Sequence, residues 1–348
     1  MQKHTAVIAG ASGLIGRRLA EHLEQTGEWN VIRLSRTARA DGKHWIGVEL
    51  ADAADCKAKL GSLKEVSHIF YAARSDHPEG VPEPVERNTD MLANLVDALE
   101  HSSPLQHVHA VHGSKYYGHM QGPVPVPINE DAPRGKLDNY YFHQEDFLRR
   151  RADGARWTWS TTRPHCFCDP AIDTPRSIGL VIACYAAVQS ELGLPLDFPG
   201  TETAFTVRTQ FTDLRLLARA LAWMANEPRC ANQSFNLVNG DTPTWQQLWV
   251  GYADYFGVKC GGPREFSLAQ YLADKEGLWS EMARKHNLKQ TRLHELTLPA
   301  YGDYQFRPQW EVVSSMAKAR SLGFDEGVDS ARMFRKQFDN YRAQKIIA

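Results

Sequence analysis

The chain has 348 residues, enough for two domains or one large domain with an appendage, and 43% of them are hydrophobic, which excludes a mainly disordered chain. Its 40 Lys+Arg against 41 Asp+Glu leave a net charge of −1, so the basic surplus expected of a nucleic-acid binder is missing. The longest near-apolar run, Ile178 to Val188, is far shorter than the roughly 20 residues of a spanning helix. The N-terminus carries no secretory pattern, and six scattered cysteines make no disulfide framework. The expectation is a cytoplasmic protein with no nucleic-acid or membrane partner; monomer and homodimer both stay open.

Residues 5–9, TAVIA, read as a short buried strand, and GASGLIG follows at once. Apolar residues at 14, 15, 19 and 23 fall at helical spacing, which puts Gly10, Gly13 and Gly16 on a strand-to-helix turn. Further strands are expected at 31–34, 45–50, 67–73 and 107–113. An amphipathic helix is expected over 88–102, with Met91, Leu92, Leu95, Val96 and Leu99 on one face. Strand–helix alternation returns at 210–225 and 234–240, and 241–348 reads as helical and tryptophan-rich.

This alternation predicts an α/β fold: a Rossmann-type doubly wound parallel sheet, with a smaller, mainly helical C-terminal substrate-binding part packed over the open edge of the sheet. The expected division gives 1–165 and about 203–240 to a dinucleotide-binding domain. It gives about 166–202 and 241–348 to a substrate-binding domain or lid.

The glycine turn has the context that a dinucleotide site needs. Gly10 permits the tight turn, Gly13 lets backbone N–H groups approach a pyrophosphate, and Gly16 lets helix pack on strand. Ser12, Leu14 and Ile15 lie on the same turn. About 20 residues on, where a ribose 2′-hydroxyl would call for an acid, the chain has Ser35-Arg36 and no acid until Asp41. A hydroxyl and a guanidinium suit a 2′-phosphate, with Arg39 as a second cation, so NADP(H) is expected rather than NAD(H). A solvated basic turn is the plain alternative. Glu49 is placed to bond the adenine amine.

Short-chain dehydrogenases pair a tyrosine with a lysine one helical turn on, Y-x-x-x-K, the ammonium making the phenol more acidic. Tyr255/Lys259, Tyr271/Lys275 and Tyr341/Lys345 fit formally, but all lie in the C-terminal part and are chance matches. After the strand at 107–113 comes HGSKYYGH, and further on DNYYFHQEDFL, where Tyr141 is followed at the fourth position by Glu145. Lys115 sits at a strand's carboxyl end, where open α/β sheets bind ligands.

These two segments resemble those of the progesterone 5β-reductase/iridoid synthase-like family, atypical short-chain dehydrogenases with T-G-x-K-x-Y-x-G-P and N-F-Y-Y-x-x-E-D in place of Y-x-x-x-K. Here the first is His112-Gly113-Ser114-Lys115-Tyr116-Tyr117-Gly118, with Gly122-Pro123 displaced, and the second is Asn139 to Asp146. Arg163-Pro164, Phe235 to Asp241 with Trp245, and the closing 319–324 and 341–347 extend the likeness over nearly the whole chain.

The resemblance implies that Tyr141 is catalytic, that Lys115 is its partner, and that both also contact the cofactor. It implies NADPH-dependent reduction of an activated C=C bond in a small hydrophobic carbonyl compound. The departures are His112 for threonine, Tyr140 for phenylalanine, Phe142 for tyrosine, and Arg74 where plant members carry a pocket tryptophan; these leave the substrate open. His112, Arg74, Tyr117 and Tyr304 are expected to line the substrate pocket. The stretch holding Tyr301, Tyr304, Phe306 and Trp310 is expected to act as a lid.

Two other readings stay open: a carbonyl reductase or sugar-nucleotide epimerase/dehydratase of the extended class, and a non-catalytic dinucleotide sensor. His165-Cys166-Phe167-Cys168-Asp169 has metal-ligand residue types without the spacing of a zinc site, so a loop with buried thiols is expected and no metal. His107 and His109 share a strand face and read as packed residues.

Overall fold

The computed structural model describes residues 3–77 and 81–348. Its first half alternates as expected: β1 (His4–Ala9), α1 (Leu14–Thr26), β2 (Trp29–Ser35), β3 (Trp45–Gly47), α2 (Ala53–Leu60), β4 (His68–Tyr71), α3 (Val85–Glu100), β5 (His107–Val111), α4 (Tyr140–Ala152) and β6 (Thr158–Pro164). Then come β7 (Phe167–Cys168), α5 (Ile178–Leu192), β8 (Leu196–Phe198), α6 (Glu202–Thr206), β9 (Thr212–Asp213), α7 (Leu214–Asn226) and β10 (Gln233–Leu237). The remainder is α8 (Trp245–Phe256), β11 (Cys260–Pro263), α9 (Leu268–Ala273), α10 (Glu276–Lys285), α11 (Leu293–Leu296), α12 (Pro299–Gln305), α13 (Ala317–Ser321) and α14 (Ser330–Ala343).

Seven strands form one parallel sheet in the order β10-β6-β5-β4-β1-β2-β3. β1 shows why such strands are apolar throughout. Ala6 and Ile8 face a core shared with α1 and α7, while Val7 and Ala9 face a second core with α2, α3 and α4. The connections leave β1 and β4 in opposite directions, so a crevice opens above their carboxyl ends.

Three details differ from expectation. The third strand ends at Gly47 rather than at 50, because Asp55 accepts from Glu49 N (2.8 Å) and Glu49 from Ala51 N (3.0 Å), which turns the chain into α2. β6, a run of threonines and serine flanked by Trp157, Trp159 and Arg163, is an additional sheet strand between β5 and β10. The C-terminal part does not cover the sheet edge as a whole. Its core, built around α5, begins at Cys166 and Cys168 just past the carboxyl end of β6. Residues 316–324 cover edge strand β10: Met316, Ala319 and Phe324 join the sheet's core, and Lys318 Nζ donates to Ser234 O (2.9 Å).

The apolar run at 178–188 is a helix buried on every side, packed by α8, α12 and α14. No helix of the described residues is long and apolar enough to cross a membrane.

Candidate functional site

The glycine turn is as tight as the sequence requires. Gly10 has φ +77°, and a Cβ there would stand 2.6 Å from Ala72 O. A Cβ on Gly16 would meet Gly10 O at 2.5 Å, so Gly16 serves helix–strand packing rather than ligand contact. Gly13 is the N-cap of α1, with no side-chain cap and no acid in the first turn. The leading N–H groups of α1 therefore face the crevice without a partner of their own, as an anion site needs. The side chains of Leu14 and Ile15 pack toward the α1–α7 core, so those residues offer backbone only.

The crevice is a cleft of about 450 Å³ lined by Gly10, Ser12, Gly13, Ser35, Arg36 and Glu49 among others. Ser35 Oγ donates to Thr37 O (2.5 Å) and keeps its lone pairs free. Arg36 is exposed at the cleft and has no ion pair among the described residues. Arg39 instead lies over the Trp45 ring (5.1 Å), outside the lining residues. Glu49 is held by Ala51 N and by Arg87 (3.5 Å), a lining cation that sequence reading missed. A dinucleotide fits this donor set: a tight glycine turn, an uncapped helix start, and cations at the far end.

Tyr141 stands in the first turn of α4, which Asn139 caps by accepting from Tyr141 N (3.0 Å). Its hydroxyl lies against Gly113 at the end of β5, where an added Cβ would come within 3.2 Å. Burial pushes its phenol pKa up; Tyr140 and the Arg74 charge pull it back, while Glu83 and Tyr304 add to the rise. The net shift is upward, so Tyr141 is a neutral hydroxyl at ordinary pH.

One turn on, where a helical lysine would sit, Glu145 points inward and is fully buried. It accepts from Arg163 (2.7 Å) and Arg149 (2.9 Å). Arg163, also buried, stacks 3.5 Å from the Tyr116 ring centroid and donates to Tyr117 Oη and Glu130 O (both 2.9 Å). This pair fixes α4, and so Tyr141, against β6 and the turn after β5.

Lys115 lies in a 3₁₀ turn after β5 with its side chain 46% exposed, and Nζ pairs with Glu83 (2.8 Å). Arg74 and Glu83 are the strongest charges on Tyr141. Arg74 lies on the wall of the glycine-turn cleft, from where its charge reaches Tyr141. The loop carrying it is held by buried Asn88, which accepts from Ser75 N (2.7 Å) and donates to Pro84 O (3.0 Å).

Three pocket expectations are corrected. His112 is 1% exposed and lies behind Tyr141, ring on ring (4.9 Å, 27°), rather than on the pocket wall. Burial lowers its pKa to about 3 in spite of nearby Glu145 and Gln144. Tyr117 is buried, with its hydroxyl spent on Asn236 (2.6 Å) and Arg163. Phe306 is a core residue among Trp245 (4.9 Å), Phe198 and Trp249, not part of a free flap.

The stretch around Phe306 is anchored further. Asp303 accepts from Leu268 N (2.7 Å), and Trp310 Nε1 donates to His119 O (2.7 Å). The Tyr304 hydroxyl is near enough to add to the upward shift of the Tyr141 phenol. His165 Nδ1 meets Ser114 Oγ (2.8 Å), and Asp169 takes Arg18 through both oxygens (2.7 and 2.8 Å). His107 and His109 are buried against the hydroxyls of Thr158, Ser160 and Thr162.

Residues 47–348 match the PRISE-like Rossmann-fold domain. The chain is 31% identical to 3-oxo-Delta(4,5)-steroid 5-beta-reductase of Arabidopsis thaliana, covering 98% of this chain and 92% of that protein. It is 30% identical to an (S)-8-oxocitronellyl enol synthase of Nepeta cataria, over 99% of this chain and 92% of that one. Among solved structures it is similar to a short-chain dehydrogenase/reductase superfamily protein of Agrobacterium tumefaciens with bound NAD (TM-score 0.69, 14% identity, 98% of each chain). A UDP-glucose 4-epimerase of Thermus thermophilus in complex with NAD is also similar (TM-score 0.65, 17% identity, 97% of this chain and 99% of that one). At such identities the two structures speak for the fold alone.

Proposed function

The chain belongs to the PRISE-like Rossmann-fold family, and on that footing we propose that it is an NADPH-dependent reductase of activated C=C bonds, carrying out 1,4-reduction of an enone or enal. The observation that carries this reading is the placement of Tyr141: a neutral phenol at the carboxyl end of β5, on a helix whose next turn presents a buried glutamate instead of a lysine.

A dinucleotide would be held by the N–H groups of the 10–16 turn, with Ser35, Arg36 and Arg87 at the end that receives a 2′-phosphate. Bound there, a reduced nicotinamide supplies the hydride that the β-carbon of the substrate accepts. The chain itself acts on the oxygen. As the C=C electrons move toward the carbonyl, charge grows on that oxygen, and Tyr141 donates a hydrogen bond to it. Arg74 adds positive potential beside the phenol, and Lys115, neutralised by Glu83, leaves the phenol protonated. The α-carbon then takes a proton from water. In this reading residues 166–202 and 241–348 supply the substrate wall, with Tyr304 opposite Tyr141.

The test is product analysis with NADPH and a panel of enones and enals. A saturated carbonyl product is expected, with Tyr141→Phe losing about 10²–10³ in turnover while NADPH still binds. An allylic alcohol with its double bond retained, or near-wild-type turnover by Tyr141→Phe, would overturn the proposal.

A further inference from the structure

The wall opposite the cofactor cleft carries cations that a purely apolar substrate would not need. Arg176 lies before α5, exposed, with its guanidinium 5.1 Å from the Tyr301 ring centroid. Tyr301 stacks on Tyr304 (6.3 Å, 15°), the hydroxyl that bears on Tyr141. Arg307 follows α12, exposed, and its charge, like that of Arg176, reaches Tyr304. Leu298 N donates to Pro175 O (2.9 Å), which ties the start of α12 to the segment carrying Arg176.

Two acids among the described residues near this wall are held by other cations. Asp76 pairs with Arg74, and Glu83 with Lys115. Arg176 and Arg307 have no ion pair among the described residues. Neither lines the dinucleotide cleft, whose 2′-phosphate end is served by Arg36. Arg176, Tyr301 and Tyr304 follow one another in a row, cation on ring and ring on ring.

We propose that the substrate is an anionic enone: its conjugated carbonyl at Tyr141, an apolar stem along Tyr304 and Tyr301, and a carboxylate held by Arg176 and Arg307. Two guanidinium groups, one already steadied on an aromatic face, offer the planar donor fork that a carboxylate accepts. The inference rests on the enone-reductase reading and adds the substrate's charge class.

The test compares (E)-8-oxonon-6-enoate with its methyl ester as substrates of the purified protein with NADPH. In parallel, calorimetry measures binding of the saturated products, 8-oxononanoate and its methyl ester, to the protein with NADP⁺. The acid is expected to exceed the ester in kcat/KM by about tenfold or more, through KM, and its product to bind correspondingly more tightly. The Arg176→Gln/Arg307→Gln double variant should reduce that ratio to near one, and Arg176→Lys should retain part of it. Raising ionic strength from about 0.05 to about 0.5 M should erode the acid's advantage.

Equal use of acid and ester, or a ratio unmoved in the double variant, overturns the anionic class while leaving enone reduction standing. Arginine-dependent binding of 8-oxononanoate without turnover of either enone overturns the reductase reading while leaving the anion site standing. No turnover together with no binding overturns both.

Discussion

Replacing Glu145 with glutamine tests how the catalytic helix is held. Both partners of the Glu145–Arg163 pair are buried, their side chains 2% and 1% exposed. Burial pushes the Glu145 carboxyl up, but the charge and hydrogen bond of Arg163, with His112 and Arg149, outweigh it and hold the pKa down from 4.5 to about 2. That gap is worth roughly 3 kcal/mol of stability at neutral pH. Because the folded pKa is the lower one, this stability is fully present above about pH 4.5 and is lost as pH falls toward 2. At pH 3.5 about 2 kcal/mol of it would remain.

Glu145→Gln leaves Arg163 buried beside a neutral partner, so a destabilisation of about 3 kcal/mol is expected at pH 7. Urea unfolding of both proteins, followed by tryptophan fluorescence at pH 7, 5 and 3.5, measures it. The difference should be nearly constant from 7 to 5 and shrink by roughly 1 kcal/mol at 3.5. A difference equally large at pH 3.5 and 7, or one below about 1 kcal/mol at pH 7, would refute the reasoning.

Gly10→Ala puts a Cβ at φ +77° and 2.6 Å from Ala72 O, so dinucleotide affinity should fall more than about tenfold with a drop in Tm; cofactor titration giving the wild-type Kd would contradict this. Arg36→Gln should weaken NADPH about tenfold or more and leave NADH unchanged, as read by parallel Kd measurements. Since burial raises the Tyr141 pKa, kcat on an enone should stay flat between about pH 6 and 9 as far as this group is concerned. An inflection below about pH 8 that disappears in Tyr141→Phe would mean that the phenol ionises in turnover. Glu83→Gln removes a negative charge that raises the Tyr141 pKa and frees the Lys115 ammonium, so any such inflection should move to lower pH; an unchanged pH profile would count against Glu83 acting on Tyr141.

The sequence by itself determined the parts that depend on neighbours along the chain. The Gly10–Gly16 turn, the all-apolar β1 and the stripe of α3 each carry their signal within a few residues, because backbone sterics and helical or strand periodicity act locally. Tyr141 and Glu145 were legible together for the same reason, being one helical turn apart. What those side chains touch was decided only by the tertiary structure. Lys115 turns to Glu83, while the charge of Arg74 bears on Tyr141, and Arg176 lies over Tyr301, from segments far apart in the chain. An aromatic residue reads alike in sequence whether it lines a pocket or fills a core, which is how Tyr117 and Phe306 were expected at the substrate and proved to be packing. Charge pairing and burial act through space rather than along the backbone, so the site's electrostatics came into being only when the carboxyl ends of the strands were brought together with α4 and α12.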